Sequence, residues 1–346
     1  MHALRRLVLT QFRCFDRYTL EVAPGLTVIE GANARGKTAL IEALWLLASG
    51  RSFRTARLDR LIRHGQGEAA LYAEVGGHRL GWGRRGGETR LRLDGETVRA
   101  QAELSARFPA QLLTPESHRL LEEGPRGRRQ FLDWGGFHQQ PGFLGHWRAW
   151  RQALRQRNAA LRQGLAPEMV RLWDGALVEA GEALDALRQD YVTRLEAPLK
   201  ALLAELLPEL AEAVTLRYQR GWRQGLTLAE ALEAGWEGDV RQQTTRSGPH
   251  RADLACLVDG HPAETVLSRG QQKLFVCALL LAQAQLYAEA RGHSVVMLID
   301  DLPAELDAER RARLLALLEA LDIQRVVTTT DRALIPGASE AAIVTL

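Results

Sequence analysis

The stretch Gly31-Ala32-Asn33-Ala34-Arg35-Gly36-Lys37-Thr38 constrains this chain more than any other. It follows the apolar run Leu26 to Ile29 and opens an apolar-periodic stretch through Leu40, Ile41, Leu44 and Leu47. A strand, a glycine-bearing loop and a helix in that order are the setting in which G-x-x-x-x-G-K-S/T forms a nucleotide phosphate site. The glycines let backbone N–H groups turn toward one anion, and the helix N-terminus adds the positive end of its dipole. In this reading Gly31 through Thr38 cradle the phosphates of a nucleotide, Lys37 reaches the β- and γ-phosphates, and Thr38 holds Mg²⁺.

The carboxylates that such a site needs come late in the chain. Ser294 to Ile299 reads as a buried strand that ends in Asp300-Asp301. Asp300 can meet the Mg²⁺ held by Thr38, because that cation favours hard oxygen ligands. Asp301, one peptide further on, suits the orientation of an attacking water. Before that strand, Ser268-Arg269-Gly270-Gln271 opens a helix that Gly292 can close.

The remaining pattern is α/β. Leu4 to Leu9 and Tyr18 to Val22 read as strands, and short strands at 71–75, 79–82, 89–93 and 97–100, broken by Gly-Gly and Asp94-Gly95, read as an antiparallel meander. His146 to about Ala213 is rich in Leu, Ala, Arg and Glu at helical spacing, an inserted and mainly helical lobe. Pro198 and Pro208 are expected to limit any single helix there, which argues against a long coiled-coil arm. The expected division is an ATPase domain of 1–118 and 245–346, with mixed sheet and helices, around an inserted lobe of 119–244.

Composition adds exclusions. No apolar run reaches the roughly 18 residues of a membrane span, and Met1 to Thr10 shows no cleavable signal pattern; a cytoplasmic protein is expected. Cys14, Cys256 and Cys277 lack metal spacing and read as buried thiols. A net charge of +3 does not itself imply nucleic acid.

Taken in order, the motifs resemble the RecF DNA-repair proteins, relatives of the SMC heads, nearly end to end. The matching blocks are Phe12-Arg13, Gly31 to Thr38, Gly50-Arg51-Ser52 with Arg54, Pro125 with Arg128-Arg129 and Phe131-Leu132-Asp133, Arg157-Asn158, Gly248-Pro249-His250-Arg251, Ser268-Arg269-Gly270-Gln271-Gln272, and Asp300-Asp301 with Glu305-Leu306-Asp307. The resemblance implies an ABC-type P-loop ATPase head with weak, DNA-stimulated activity. It implies a homodimer formed on ATP, in which Ser268, Gly270 and Gln271 of one copy meet the nucleotide of the other. It implies action at single-strand gaps or junctions of single- and double-stranded DNA, with RecR and RecO as partners in loading RecA. On that basis Asp301, Lys37 and Ser268 are the candidate catalytic residues. Asp307 and Thr330 join the nucleotide site, and Thr38 with Asp300 form the Mg²⁺ site.

There are departures. Ala252 stands where the family has the first of two acids, and Thr330 stands where transporter ATPases carry a switch histidine. Gln111 is a candidate for the glutamine of the Q-loop. For DNA, Arg148, Arg151, Arg155 and Arg162 share one helical stripe with no acid between His146 and Gln163, a pattern able to meet backbone phosphates. Arg51, Arg54, Arg128 and Arg129 are further candidates for DNA or γ-phosphate. Trp147 and Trp150 read as core packing, and His250 as a structural hydrogen-bonder. Two other classes share the phosphate loop: a transporter's nucleotide-binding subunit, opposed by the roughly 270 residues between loop and Asp300, and a scaffold with structural ATP.

Overall fold

In the computed structural model, residues 3–301, 307–335 and 341–346 are described. Glu305 and Leu306, quoted above beside Asp307, lie outside the described residues. The chain divides into two compact units, Met1–Ser117 with Lys273–Leu346, and His118–Gln272. In chain order the strands begin with β1 (Leu4–Phe12), β2 (Phe15–Glu21), β3 (Leu26–Glu30), β4 (Glu68–Val75), β5 (His78–Arg85), β6 (Glu88–Leu93), β7 (Glu96–Val98) and β8 (Ala110–Leu113). They continue with β9 (Val214–Gln219), β10 (Asp253–Val258), β11 (His261–Pro262), β12 (Val296–Ile299), β13 (Gln324–Thr329) and β14 (Ala342–Thr345).

The first unit holds two sheets. One is antiparallel, in the order β2-β1-β4-β5-β6-β7. Its last three hairpins turn at Gly76-Gly77, Gly86-Gly87 and Asp94-Gly95, and all six residues take positive φ. Such primed two-residue turns match the twist of the strands they join. The other sheet is parallel throughout, in the order β14-β3-β13-β12-β8. All residues of β12 and β13 are buried, as expected of strands covered on both faces.

Between the sheets runs the helix Lys37–Ser49, buried around almost its whole circumference. Its Leu40, Ile41, Leu44 and Leu47 share one core cluster with Leu4, Leu7 and Leu9 of β1 and Leu298 of β12. Gly50 closes the helix in the left-handed conformation, its N–H bonded to the Leu46 carbonyl at 2.8 Å. The later helix Arg269–Arg291 is long and apolar enough to cross a membrane, but its apolar window is 72% buried inside the protein.

The second unit is mainly helical, with a small sheet in the order β11-β10-β9. Because β10 pairs with β9 over six residues, the stretch from 245 to 272 belongs with this unit rather than with the nucleotide unit. Helices Phe143–Arg162 and Asp174–Leu206 meet through Trp150, Leu177 and Leu184. The expectation that Pro198 limits the helix is corrected: Asp174–Leu206 runs through it for 33 residues, about 50 Å at 1.5 Å per residue. Leu195, Leu199, Leu202 and Leu203 are buried around the proline, and that packing offsets the missing N–H. The helix packs along its own unit, so it is no free arm. Pro208 does stop it, starting a short 3-10 turn.

Candidate nucleotide site

The loop after β3 turns sharply at Gly36. Its φ is +103°, and a Cβ there would lie 2.5 Å from the Phe15 ring and 2.8 Å from Cys14 Sγ, so only glycine fits. The helix starts at the next residue, aiming its free N–H groups into the loop. Lys37 is buried to 8% exposure, and its Nζ donates to the carbonyls of Gly31 at 2.5 Å and Ala32 at 3.0 Å. The ammonium is thereby held over the loop.

Strand order brings the carboxylates to the same place. β13 lies between β3 and β12, so the loop after β3 and Asp300 after β12 are two strand spacings apart, about 10 Å. All three strands are parallel, and their carboxyl ends form the edge where open α/β sheets bind ligands. Side chains close the gap. Thr38 Oγ1 donates to Asp300 Oδ1 at 3.1 Å, and Thr328 Oγ1 donates to the same oxygen at 2.8 Å. The Asp301 N–H then donates to Thr328 Oγ1 at 2.9 Å. Burial pushes the Asp300 carboxyl above its ordinary pKa, and the nearby Asp301 charge acts in the same direction, against the two hydroxyls that favour the anion. Asp301 itself takes φ +51°, a strained value for aspartate.

These groups line a cleft of about 700 Å³, together with Asn33, Ala34, Arg13, Arg54, Arg60 and His64. Four cationic side chains, Lys37, Arg13, Arg54 and Arg60, against two carboxylates leave a positive excess, which suits a polyanion. A hydroxyl and a carboxylate already within 3.1 Å of each other are hard oxygen donors of the kind Mg²⁺ takes. The residues present therefore fit a magnesium nucleotide.

The other expected residues are placed as follows. Ala32 and Arg35 sit exposed in the loop. Ser268 caps Arg269–Arg291 reciprocally: its Oγ accepts from the Gln271 N–H at 3.4 Å, while Gln271 Oε1 accepts from the Ser268 N–H at 3.1 Å. Gly270 follows in the first turn. Asp307 caps the helix Ala308–Ala320 through the Arg310 N–H at 2.9 Å. Thr330 is exposed and is not among the cleft residues; Thr328, two positions earlier, is the threonine that reaches Asp300. Gln111 points away as well, donating to Gln283 at 2.6 Å in the core.

Of the arginines, Arg51 is exposed and Arg54 lines the cleft. Arg128 forks onto both oxygens of Asp253 at 2.8 and 2.9 Å, and Arg129 donates to the Ala252 carbonyl at 2.7 Å, so both hold β10 in place. Arg148, Arg151, Arg155 and Arg162 are all exposed along one helix, with Arg151 stacked over Trp147 at 4.6 Å. Trp150 is buried, and His250 Nε2 bonds the Thr245 carbonyl at 2.9 Å. Cys256 and Cys277 are buried thiols as expected, whereas Cys14 is exposed and lines the cleft.

Comparison with known proteins now decides the family. The model of the RecF/RecN/SMC N terminal domain matches residues 3–346. The DNA replication and repair protein RecF of Hydrogenovibrio crunogenus is 47% identical over 97% of this chain and 94% of its own length. The chain belongs to the RecF family. The corresponding RecF protein of Pseudomonas putida is 42% identical over 96% of the chain and 92% of its length. Among solved structures, the recombination mediator protein RecF-ATPrS in the RecFOR pathway superposes with a TM-score of 0.85 at 25% identity, covering 97% of this chain and 94% of that one. An Smc head bound to the C-winged helix domain of ScpA shares the fold alone, with a TM-score of 0.56 at 15% identity over 99% and 94% of the two chains.

Several residues of this RecF-family cleft escaped sequence reasoning. Arg60 and Thr328 carry no local motif, and Arg13 stood out only as part of a family block. Glu42 had a signal: it is the one charged residue between Ala39 and Ala48, on a helix otherwise apolar. A charge in such a run needs a buried partner.

Proposed function

We propose that this chain is an ATP-dependent, DNA-binding switch of recombinational repair and replication restart. The carrying observation is the cleft in which Lys37, Thr38, Thr328, Asp300 and Asp301 converge, in a chain 47% identical over nearly its whole length to a RecF protein. Lys37 would exchange its two carbonyl partners for phosphate oxygens. Thr38 and Asp300 would hold Mg²⁺, which supplies charge neutralisation at the phosphates when bound. Asp301 would orient the attacking water. Two copies would close on ATP, Ser268 of each completing the partner's site, around DNA at a single-strand gap or at a single-strand/double-strand junction. Slow hydrolysis, stimulated by DNA, would reopen the dimer. In the cytoplasm it would assist RecR, with RecO, in loading RecA.

Only a nucleotide that binds the closed dimer better than the open monomer can drive such a switch. The test is ATP binding and phosphate release by the wild type, Lys37→Ala and Asp301→Asn. Lys37→Ala should bind ATP about 100-fold more weakly, the loss of a charge-assisted contact. Asp301→Asn should bind normally yet hydrolyse about 10²- to 10⁴-fold more slowly. Wild-type hydrolysis by Asp301→Asn would contradict its role.

A further inference from the structure

Glu42 is fully buried in the helix Lys37–Ser49, and every partner it has faces the nucleotide cleft or the loop beside it. Both oxygens are engaged. Oε2 accepts from Arg13 Nε at 2.8 Å; Oε1 accepts from Arg13 Nη2 at 2.6 Å and from Ser52 Oγ at 2.5 Å. Arg54 Nη1 stands 3.8 Å from Oε2, beyond hydrogen-bond reach, with its side chain 48% exposed. The Ser52 hydroxyl in turn accepts from the N–H groups of Arg54 and Thr55 at 3.0 Å each. One carboxylate thus joins an N-terminal arginine to the loop that follows its own helix.

The geometry at Arg13 is specific. A forked carboxylate fixes the plane of a guanidinium, and Arg13 Nη1 also donates to the Arg60 carbonyl at 3.2 Å. Three of its five donors are thereby used. Two remain for a ligand in the cleft that Arg13 lines. Arg13 also takes φ +54° and Gln11 φ +51°, values that cost side-chain-bearing residues free energy, so the chain bends at a strained point to deliver this side chain.

Resting on the nucleotide reading above, we propose that Glu42 is a positioning residue. It aims Arg13 at the nucleotide phosphates and keeps the Ser52–Arg54 loop in register with them, although it touches no nucleotide. Arg13 is the fixed cation of the pair. Arg54, held loosely, is the one able to leave Glu42 for a phosphate oxygen. A purely structural pair would stabilise the helix without altering how the phosphates are addressed, and the two roles separate in kinetics.

The experiment compares steady-state ATP hydrolysis and thermal midpoints of the wild type, Lys37→Ala, Glu42→Gln, Glu42→Asp, Arg13→Ala and the Glu42→Gln/Arg13→Ala double variant. A misaimed cation costs up to about 10²-fold in rate. Glu42→Gln should therefore lower kcat about 30-fold while KM moves less than about threefold. Glu42→Asp should recover most of that rate, and the double variant should be no slower than Arg13→Ala by more than about twofold, since residues acting as a unit are not additive. Wild-type kcat in Glu42→Gln, or a double variant that multiplies the two single losses, overturns the proposal. Should Glu42→Gln fail to fold, Glu42→Ala takes its place in the same cycle with Arg13→Ala, and losses that multiply there overturn the proposal equally. A wild type that neither binds nor hydrolyses ATP defeats the site reading itself. A wild type that hydrolyses, a Lys37→Ala that does not and a Glu42→Gln equal to wild type defeat this proposal alone.

Discussion

The two units use arginine in opposite ways. In the helical unit Arg157 is fully buried between Asp174 at 2.6 Å and Asp239 at 2.7 Å, Arg188 bonds Asp133 at 2.6 Å and the Pro249 carbonyl at 2.8 Å, and Arg128 is forked onto Asp253. Each of these three cations is paired with an acid. In the nucleotide unit Arg13, Arg54, Arg60 and Lys37 share one open cleft with fewer carboxylates than cations. The chain has 42 arginines and three lysines, yet its net charge is only +3, so composition could not tell these uses apart. What decides is whether the guanidinium lines an open cleft, as Arg13 does even with Glu42 at 2.6 Å, or is closed into a pair away from it.

The comparison is tested hardest at Arg157. Replacing it with alanine strands the buried Asp239 and the neighbouring Asp174, and breaking a buried pair this way costs about 3–5 kcal/mol. Urea unfolding should show that loss in the helical unit, with ATP affinity of the nucleotide unit unchanged. A loss below about 1 kcal/mol would mean the pair behaves like a surface one.

His250 gives a slightly smaller effect, through pH. Burial, with Nδ1 enclosed and without a partner, pushes its pKa down to about 4 from the ordinary 6.5; the charges of Arg251, Arg129 and Arg188 act the same way, against the bond from Nε2 to the Thr245 carbonyl. Above pH 6.5 the imidazole is neutral folded or unfolded, and its contribution is complete. As pH falls toward 4, the unfolded state takes a proton that the folded state refuses, so stability drops by about 3 kcal/mol across that window. His250→Asn should lose this part of the pH dependence between pH 7 and pH 4. Identical pH profiles would refute the assignment.

The smallest effect belongs to the exposed stripe. Arg148, Arg151 and Arg155 form no ion pair with a carboxylate among the described residues, which leaves them as the helical unit's counterpart to the cleft cations. If they meet DNA phosphates, Arg151→Ala should lower the slope of log affinity against log salt by about 0.9, with no change in sequence preference. An unchanged slope would assign the stripe to solvent.

How much of this was legible follows from where each signal lies. The phosphate loop, Asp300, Asp301 and the Ser268 cap are local patterns, in which a few adjacent residues dictate a turn, a strand end or a helix start. The cleft's other walls are not local. Thr328 reaches Asp300 only because β13 lies between β3 and β12, and Arg13 reaches Glu42 only because the antiparallel sheet packs over the loop's helix. Pro198 misled for a related reason: its local cost is real, but the buried leucines around it outweigh that cost. Cys14 is exposed because it faces the same cleft, whose position no residue beside it reveals.

In the proposed switch, nucleotide bound in the cleft drives closure of two copies through Ser268. Sedimentation velocity of the wild type and Ser268→Arg, each with Mg²⁺ and with or without ATP, tests it most directly. ATP should convert the wild type to a dimer, while Ser268→Arg should bind ATP and stay monomeric. A Ser268→Arg protein that dimerises as the wild type does, or a wild type that binds ATP and remains a monomer, would contradict it.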